Sequence, residues 1–287
     1  MSSLDIANLF SVRGMVFVIT GGGSGIGAMF AKALDTNGAD KVYILGRRLD
    51  KLQEVASVAT NKSVVPIQCD ITSKESLASA ASQVQQKSGF VNVVVANSGA
   101  TGPDLYGLPK DRKPTFEELQ KYLWETPMSD FNQTFEVNTT ACFYTLVAFL
   151  GLLDAGNKSE IAKSYHVKSQ FIVTTSIGAF SRRPGMGFAY AASKMATTHM
   201  VKQLATMLAD WRIDVRANCF CPGGLMGDND LSQHGSVSPD MIPLTRAATE
   251  EDAGGALLFM VSRAGAYCNG NILMSDGGRA SIVPGTY

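Results

Sequence analysis

The sequence predicts an α/β fold, one doubly wound parallel sheet, from three observations: seven short apolar runs recur along the chain, segments of helical periodicity separate them, and a glycine-rich turn joins the first run to its helix. The runs are continuously apolar rather than alternating, which marks strands covered on both faces. A strand that alternates with a helix six times over implies right-handed crossovers and therefore parallel neighbours. No linker, charge block, low-complexity stretch or internal repeat breaks the pattern, so residues 1–287 read as a single domain.

The first run, Met15 to Thr20, passes directly into Thr20-Gly21-Gly22-Gly23-Ser24-Gly25-Ile26-Gly27. Glycines let the backbone turn sharply and approach a ligand, and a helix N-terminus offers unpaired N–H groups to a pyrophosphate. The spacing of Gly21, Gly25 and Gly27 marks a candidate dinucleotide site, although any tight strand-to-helix turn can use such glycines. Ile26, Met29, Phe30, Ala33 and Leu34 then share a helical stripe, and Gly38 stands where a C-cap is expected. The second run, Val42 to Leu45, ends in Gly46-Arg47-Arg48. Folds that select NAD place an acidic acceptor here for the ribose hydroxyls; two guanidiniums offer donors to a 2′-phosphate instead, which favours NADP (NADPH) over NAD. The alternative is that Arg47 and Arg48 merely begin a solvated helix.

The third and fourth runs are Val64 to Cys69 and Val93 to Ala96. Thr101 to Pro127, rich in proline, reads as an insertion near a site with a short helix around Phe116 to Trp124. The helix around Cys142 to Leu153 is apolar on more than one side: Phe143, Leu146, Val147 and Leu150 form a stripe that Phe149, Leu152 and Leu153 widen, so something must cover it. After the fifth run, Phe171 to Thr175, comes Tyr190-Ala191-Ala192-Ser193-Lys194. Positions i and i+4 are neighbours on a helix, so Lys194 can hold its ammonium near the Tyr190 phenol. A phenol has a reference pKa of about 10, and a nearby positive charge favours the phenolate and moves the group toward acid/base work. Taken alone, the pair is a weak signal, better explained by a surface Tyr and Lys. Val201, Leu204, Ala205 and Leu208 make a further stripe, and Val215 to Cys221 and Ile272 to Met274 complete the runs.

Composition excludes several classes. Lys plus Arg and Asp plus Glu both number 25, which leaves no net charge to drive binding to nucleic acid or acidic membranes. Charged residues are 17% of the chain, below the roughly 25% typical of soluble proteins, so much of it is buried in a core or between subunits. No apolar run approaches the roughly 18 residues of a spanning helix, and MSSLDIANLFSVRG lacks both the basic start and the apolar stretch of a signal peptide. A cytoplasmic protein without membrane or nucleic-acid partners is expected. Cys69, Cys142, Cys219, Cys221 and Cys268 have neither zinc nor redox spacing and read as buried thiols; with three scattered histidines, no metal site is expected.

In order along the chain stand the glycine motif at Thr20 to Gly27, Asp70 after the third strand, Asn97-Ser98-Gly99-Ala100 after the fourth, Asn138, Ser176, Tyr190 with Lys194, and Pro222-Gly223 after the sixth. On these marks the chain resembles the short-chain dehydrogenase/reductase family over nearly its full length, with an NADP-preferring carbonyl reductase or oxoacyl reductase as the nearest type. The resemblance implies a single Rossmann-type domain with a seven-stranded parallel sheet, assembled as a homodimer or homotetramer. It implies that Tyr190 protonates the carbonyl oxygen, that Lys194 lowers the Tyr190 pKa and bonds the nicotinamide ribose, that Ser176 polarises the substrate oxygen, and that Asn138 supports a proton-relay water. Thr174 and Thr175 are alternatives to Ser176, and Asn138 has a purely structural alternative.

The same resemblance assigns the cofactor to Gly21, Ser24, Gly25, Ile26 and Gly27, to Arg47 and Arg48, to Asp70 and Ile71 at the adenine, to Asn97, Ser98 and Gly99 along the ribose, and to Tyr190, Lys194, Pro222, Gly223 and Leu225 at the nicotinamide. The family commonly has a Thr after Pro222-Gly223 where Leu225, Met226 and Gly227 stand, so the carboxamide contact is lost or moved to backbone. Leu225 to Pro243 reads as the substrate lid. Phe180, Met186, Phe188 and Met226 suggest an apolar pocket for an apolar or aromatic small-molecule ketone or alcohol; Arg182 and Arg183 suggest either a solvated turn or an anionic substrate group. The expected function is interconversion of a ketone and a secondary alcohol. The alternatives are an isomerisation, cyclisation or dehydration with bound NADP(H), or a non-catalytic cofactor-binding scaffold.

Overall fold

The computed structural model describes residues 4–183, 185–224 and 236–286. Seven strands, β1 (Val16–Thr20), β2 (Lys41–Gly46), β3 (Val64–Gln68), β4 (Val93–Ala96), β5 (Gln170–Thr174), β6 (Arg216–Pro222) and β7 (Ile272–Ser275), form one parallel sheet in the order β3-β2-β1-β4-β5-β6-β7. Each lies within one residue of its expected ends. The helices are α1 (Ile6–Leu9), α2 (Gly25–Thr36), α3 (Leu49–Ser57), α4 (Lys74–Ser88), α5 (Phe116–Trp124), α6 (Met128–Phe135), α7 (Ala141–Asn157), α8 (Glu160–Tyr165), α9 (Phe188–Asp210), α10 (Glu250–Val261) and α11 (Arg279–Ile282).

Alternate residues of each strand enter opposite cores, which is why the runs are continuously apolar. Val16, Val18, Tyr43, Leu45, Val94, Phe171 and Val173 pack with Leu77 and Val84 of α4, Leu146, Phe149 and Leu153 of α7, and Val201, Leu204 and Leu208 of α9. Phe17, Ile19, Val42, Ile44, Val93, Val95 and Ile172 pack on the other face with Phe30 and Leu34 of α2, Leu52 of α3 and Leu257 and Val261 of α10. The wider apolar set of α7 is its buried side, whereas Phe143 and Val147 remain 39% and 51% exposed. In α2 the stripe centres on Phe30, Ala31 and Leu34, and Gly38 follows the Asn37 cap with φ +86°.

Two features were not visible as runs. α1 and α8 are too short to show a stripe. Helical backbone also runs unbroken from Met128 to Asn157, because α6 passes through a π turn at Glu136–Thr140 into α7, and this stretch is long and apolar enough by length and composition to cross a membrane, with mean hydropathy 1.4 over its most apolar 18 residues. That corrects the expectation that no such segment exists. The expectation counted uninterrupted apolar residues, whereas this helix interleaves Asn, Thr and Gly with them; its Cys142, Leu146, Phe149 and Leu153 face lies in the core.

One buried carboxylate ties the end of α2 to the segment entering β3. Asp35 accepts from Asn61 N at 3.0 Å, Ser63 N at 3.0 Å and Ser63 Oγ at 2.8 Å. Burial alone would raise its pKa, but the bonds from Asn61, Ser63 and Thr60 together outweigh it and hold the carboxyl below its ordinary value. Asp35→Asn keeps the shape and offers one acceptor oxygen in place of two, so urea denaturation at neutral pH should show a loss of about 1–3 kcal/mol. Because the folded value lies below the unfolded one, the carboxylate's contribution is complete above the unfolded pKa and disappears as pH falls through the folded one. The stability gap between wild type and variant should therefore shrink below about pH 4; a gap constant with pH would contradict this role.

Candidate active site

The chain leaves β1 for α2 on one face, while the connection after β4 leads to α7 on the other, so a crevice opens between the C-terminal ends of β1 and β4. A continuous cleft of about 1320 Å³ occupies it, running from the turn after β1 past the ends of β4 and β5 to the ends of β6 and α11.

At the first end, Gly21 has φ +68° and its N–H donates to Leu45 O at 2.8 Å, which turns the chain sharply out of β1. A Cβ on Gly27 would lie 2.4 Å from Gly21 O and 2.7 Å from Asn97 Nδ2, so only glycine lets α2 start so close beneath the turn. Ser24 precedes α2 in an extended conformation without a side-chain cap, which leaves the N–H groups of a twelve-residue helix open to an anion. Gly21, Gly23, Ser24 and Ile26 line the cleft there, while Gly25 and Gly27 are absent from its lining. Arg47 and Arg48, both exposed, line the same end beyond β2. Lys51 joins them, paired with Glu54 at 2.8 Å; it was not singled out in the sequence because it sits inside a helix without motif spacing.

Asp70 and Ile71 form the adjoining wall. The Asp70 carboxylate accepts from Thr72 N at 3.0 Å and Thr72 Oγ1 at 2.8 Å; these bonds, with Arg47 nearby, hold its pKa below the ordinary value. Asn97 stitches three strand ends together: its N–H donates to Thr20 Oγ1 at 3.0 Å, its Nδ2 to Thr20 O at 3.2 Å, and its Oδ1 accepts from Thr174 Oγ1 at 3.0 Å. Ser98 N shares Thr20 Oγ1 at 3.1 Å. Gly99 completes this floor, where a Cβ would meet Asn138 Oδ1 at 3.2 Å and Lys194 Nζ at 3.3 Å. A bare backbone edge and an uncapped helix start are groups that a nicotinamide dinucleotide needs, so the residues fit such a cofactor.

At the second end, α9 carries Tyr190 and Lys194 one turn apart, with Lys194 Nζ 5.9 Å from the centre of the Tyr190 ring. Lys194 is buried and donates to Thr174 O at 2.8 Å; burial pushes its pKa down. Ser176 follows β5, and its Oγ accepts from Gly178 N at 3.0 Å. A Cβ on Gly178 would lie 3.3 Å from Ser176 Oγ and 3.5 Å from Tyr190 Cε1, so the two side chains flank the same point of backbone. The threonine alternatives are otherwise engaged: Thr174 Oγ1 donates to Asn97, and Thr175 Oγ1 to Phe220 O at 3.3 Å.

Asn138 is brought beside Lys194 but lies beneath the cleft rather than lining it. Its Oδ1 accepts from Ala100 N at 2.8 Å, and its Nδ2 donates to Ala100 O at 2.8 Å and Ser193 Oγ at 2.9 Å. The π turn that holds it also frees its carbonyl to accept from Thr197 Oγ1 at 2.8 Å. This clasp joins the segment after β4 to α9 and so sets Tyr190 and Lys194 against the floor.

Pro222 and Gly223 line the cleft at the end of β6, with Gly223 N donating to Ser275 O at 2.9 Å. Leu225, Met226 and the first part of the expected lid lie outside the described residues; Met241, in its second part, lines the cleft. Of the four apolar pocket residues read from sequence, Met186 lines the cleft, while Phe180 and Phe188 do not. The insertion contributes Thr101 and Tyr106, and its helix α5 stands outside the lining. The C-terminal residues Arg279 and Val283 were not anticipated; nothing in their local pattern signals a site. Among the described residues no group of three His, Cys, Asp or Glu is arranged to hold a metal.

A family model described as short chain dehydrogenase matches residues 15–233. The short-chain dehydrogenase/reductase PhomF of Diaporthe leptostromiformis is 43% identical over 295 aligned residues, covering 99% of this chain and 98% of that protein. Among solved structures, a 7α-hydroxysteroid dehydrogenase complexed with NADH and 7-oxo glycochenodeoxycholic acid superposes with TM-score 0.75 at 26% identity, over 96% of this chain and 98% of that one. The NADPH-dependent 3-quinuclidinone reductase of Rhodotorula rubra does so with TM-score 0.71 at 26% identity, over 97% and 96%.

Proposed function

Because the chain belongs to the short-chain dehydrogenase family, we propose that it is an NADP(H)-dependent oxidoreductase that interconverts a ketone and a secondary alcohol. The observation that carries this reading is the meeting of Ser176, Tyr190 and Lys194 at one end of a cleft whose other end presents Arg47 and Arg48. The two neighbours differ in their named cofactors, one complexed with NADH and one NADPH-dependent, so the preference rests on this chain's own arginines.

A bound nicotinamide supplies hydride to the carbonyl carbon, and that chemistry belongs to the cofactor. The protein's part is to place the carbonyl and manage its oxygen. Ser176 Oγ hydrogen-bonds the ketone oxygen and fixes its orientation over the Tyr190 phenol. As the carbonyl π pair moves onto oxygen, Tyr190 gives its proton to that oxygen and becomes a phenolate; the reverse direction takes the alcohol proton back. Lys194 stabilises the phenolate from one turn away, where low dielectric strengthens the attraction. Asn138 acts by holding the Ala100 backbone and Ser193, and so keeps Lys194 and Tyr190 in register. The exposed apolar side chains Phe143 and Val147 on α7 support assembly as a homodimer, with Leu150 half-buried beside them.

Tyr190→Phe removes the acid proton with little change in shape. Turnover on any reducible ketone should fall by about 10²–10⁴, while NADPH binding by calorimetry stays within a few-fold. Retained turnover would refute the mechanism. Replacing both Arg47 and Arg48 by Ala should weaken NADPH binding by about tenfold or more and leave NADH binding nearly unchanged, since only the 2′-phosphate loses its partners. Equal weakening of both would show that the arginines do not select the cofactor.

A further inference from the structure

Ser176, Tyr190 and Lys194 account for only part of the second end of the cleft, and the wall there also carries a charge pattern that the proposed reaction does not use. Arg183 lines it from the loop after β5, and Arg279 lines it from the start of α11. Asp70 is the only carboxylate among the described lining residues, and it lies at the adenine end. The substrate end therefore presents two guanidiniums and no acid among the described residues. Neither guanidinium takes part in a salt bridge there: every ion pair among the described residues is made by other cations.

The two arginines belong to one constructed wall. The C-terminal tail pairs antiparallel with the loop after β5 through Ser181 and Gly285, with Arg182 N donating to Pro284 O at 2.8 Å and Thr286 N to Phe180 O at 2.7 Å. Arg183 N donates to Ser181 Oγ at 3.0 Å, which fixes the chain at the base of that side chain. On the other element, the Asp276 carboxylate accepts from Gly278 N at 3.0 Å and Ala280 N at 2.6 Å and so sets the turn that presents Arg279. That carboxylate is thereby engaged by backbone donors. Ile177, Met186, Met241 and Val283 line the cleft with the arginines, so an apolar body and an anionic end are both accommodated.

From this geometry we propose that the substrate is a keto acid or hydroxy acid, an apolar skeleton whose free carboxylate is gripped by Arg183 and Arg279 while its ketone or alcohol meets Tyr190. The proposal rests on the oxidoreductase reading and adds the substrate class. An arginine fork binds carboxylate in two parallel charge-assisted bonds, and masking the acid as an ester removes both the charge and that geometry. Arg183 and Arg279 are thus specificity-determining residues, distinct from Arg47 and Arg48 at the cofactor end.

The test uses matched pairs of aryl ketones, benzoylpropionate, benzoylbutyrate and benzoylvalerate with their methyl esters, at saturating NADPH. For at least one chain length the acid should exceed its ester in kcat/KM by about tenfold, and this ratio should collapse toward one in Arg183→Met, Arg279→Met and the double variant, with NADPH affinity as the check that each is folded. A ratio near one at every length, or a ratio unmoved by the substitutions, overturns the proposal. Binding without turnover is read separately, from the change in fluorescence of bound NADPH on adding the acids. Acid binding that depends on the arginines with no reduction would refute the oxidoreductase reading and keep the anion site, whereas reduction of esters and acids alike would do the reverse. Competitive inhibition by inorganic phosphate where acetate has no effect would assign the arginines to a phosphate ester and overturn the carboxylate.

Discussion

Lys194 carries its ammonium into the core beside the end of the sheet, with the Thr174 carbonyl 2.8 Å away as an acceptor, and this buried charge constrains everything around it. Taking an ammonium out of water is unfavourable unless a counter-charge compensates. The buried thiols that act on it do not provide one: burial pushes Cys142, Cys219 and Cys221 up to about 11, 12 and 12, so they stay neutral at physiological pH. What the lysine does have is a rigid seat. Thr174 is held by Asn97, Asn97 by Thr20, and Asn138 by Ala100 and Ser193, so strand ends β1, β4 and β5 and the helix α9 all meet at this point. An uncompensated positive charge held so firmly beside a phenol is an arrangement for chemistry rather than for stability.

Sheet order then explains why one cleft serves two purposes. Because β1 and β4 are neighbours whose following helices lie on opposite faces, the crevice forms beside the glycine turn, and β5 adds Ser176 on the far side. The edge proposed for the cofactor and the groups proposed for proton transfer are therefore consecutive parts of one surface. The tail that follows β7 closes its outer end by pairing with the loop after β5.

Much of this was legible in the sequence, for identifiable reasons. Strands buried on two faces write themselves as continuous apolar runs, and all seven were found to within one residue. Gly21 and Gly27 are readable because positive φ and close packing leave glycine as the fitting residue. Tyr190 and Lys194 are readable because helical spacing brings them together and the glycine turn, Asn97 to Ala100 and Ser176 stand around them in order. Other features depend on tertiary contact and leave no local trace. Lys51 looks like any helix lysine until β2 and the glycine turn are placed beside it, and Arg279 lies about 90 residues along the chain from Tyr190. The Asn138 clasp depends on a π turn, and nothing in Glu136–Thr140 departs from an ordinary helical pattern. The unbroken helix from Met128 to Asn157 escaped notice for a related reason, since polar residues interrupt its apolar count but not its backbone.

If Lys194 is kept buried for catalysis against its desolvation cost, replacing it with a neutral residue of similar length should relieve that cost. The direct measurement is the unfolding free energy of Lys194→Met against wild type in urea at neutral pH, with turnover measured on the same samples. The expected result is a variant at least as stable as wild type whose turnover is lost, with the stability difference narrowing as pH rises, because the lowered folded pKa lets wild type gain stability there. A variant less stable by more than about 1 kcal/mol would contradict the account, because it would make the buried ammonium a structural support rather than a functional charge.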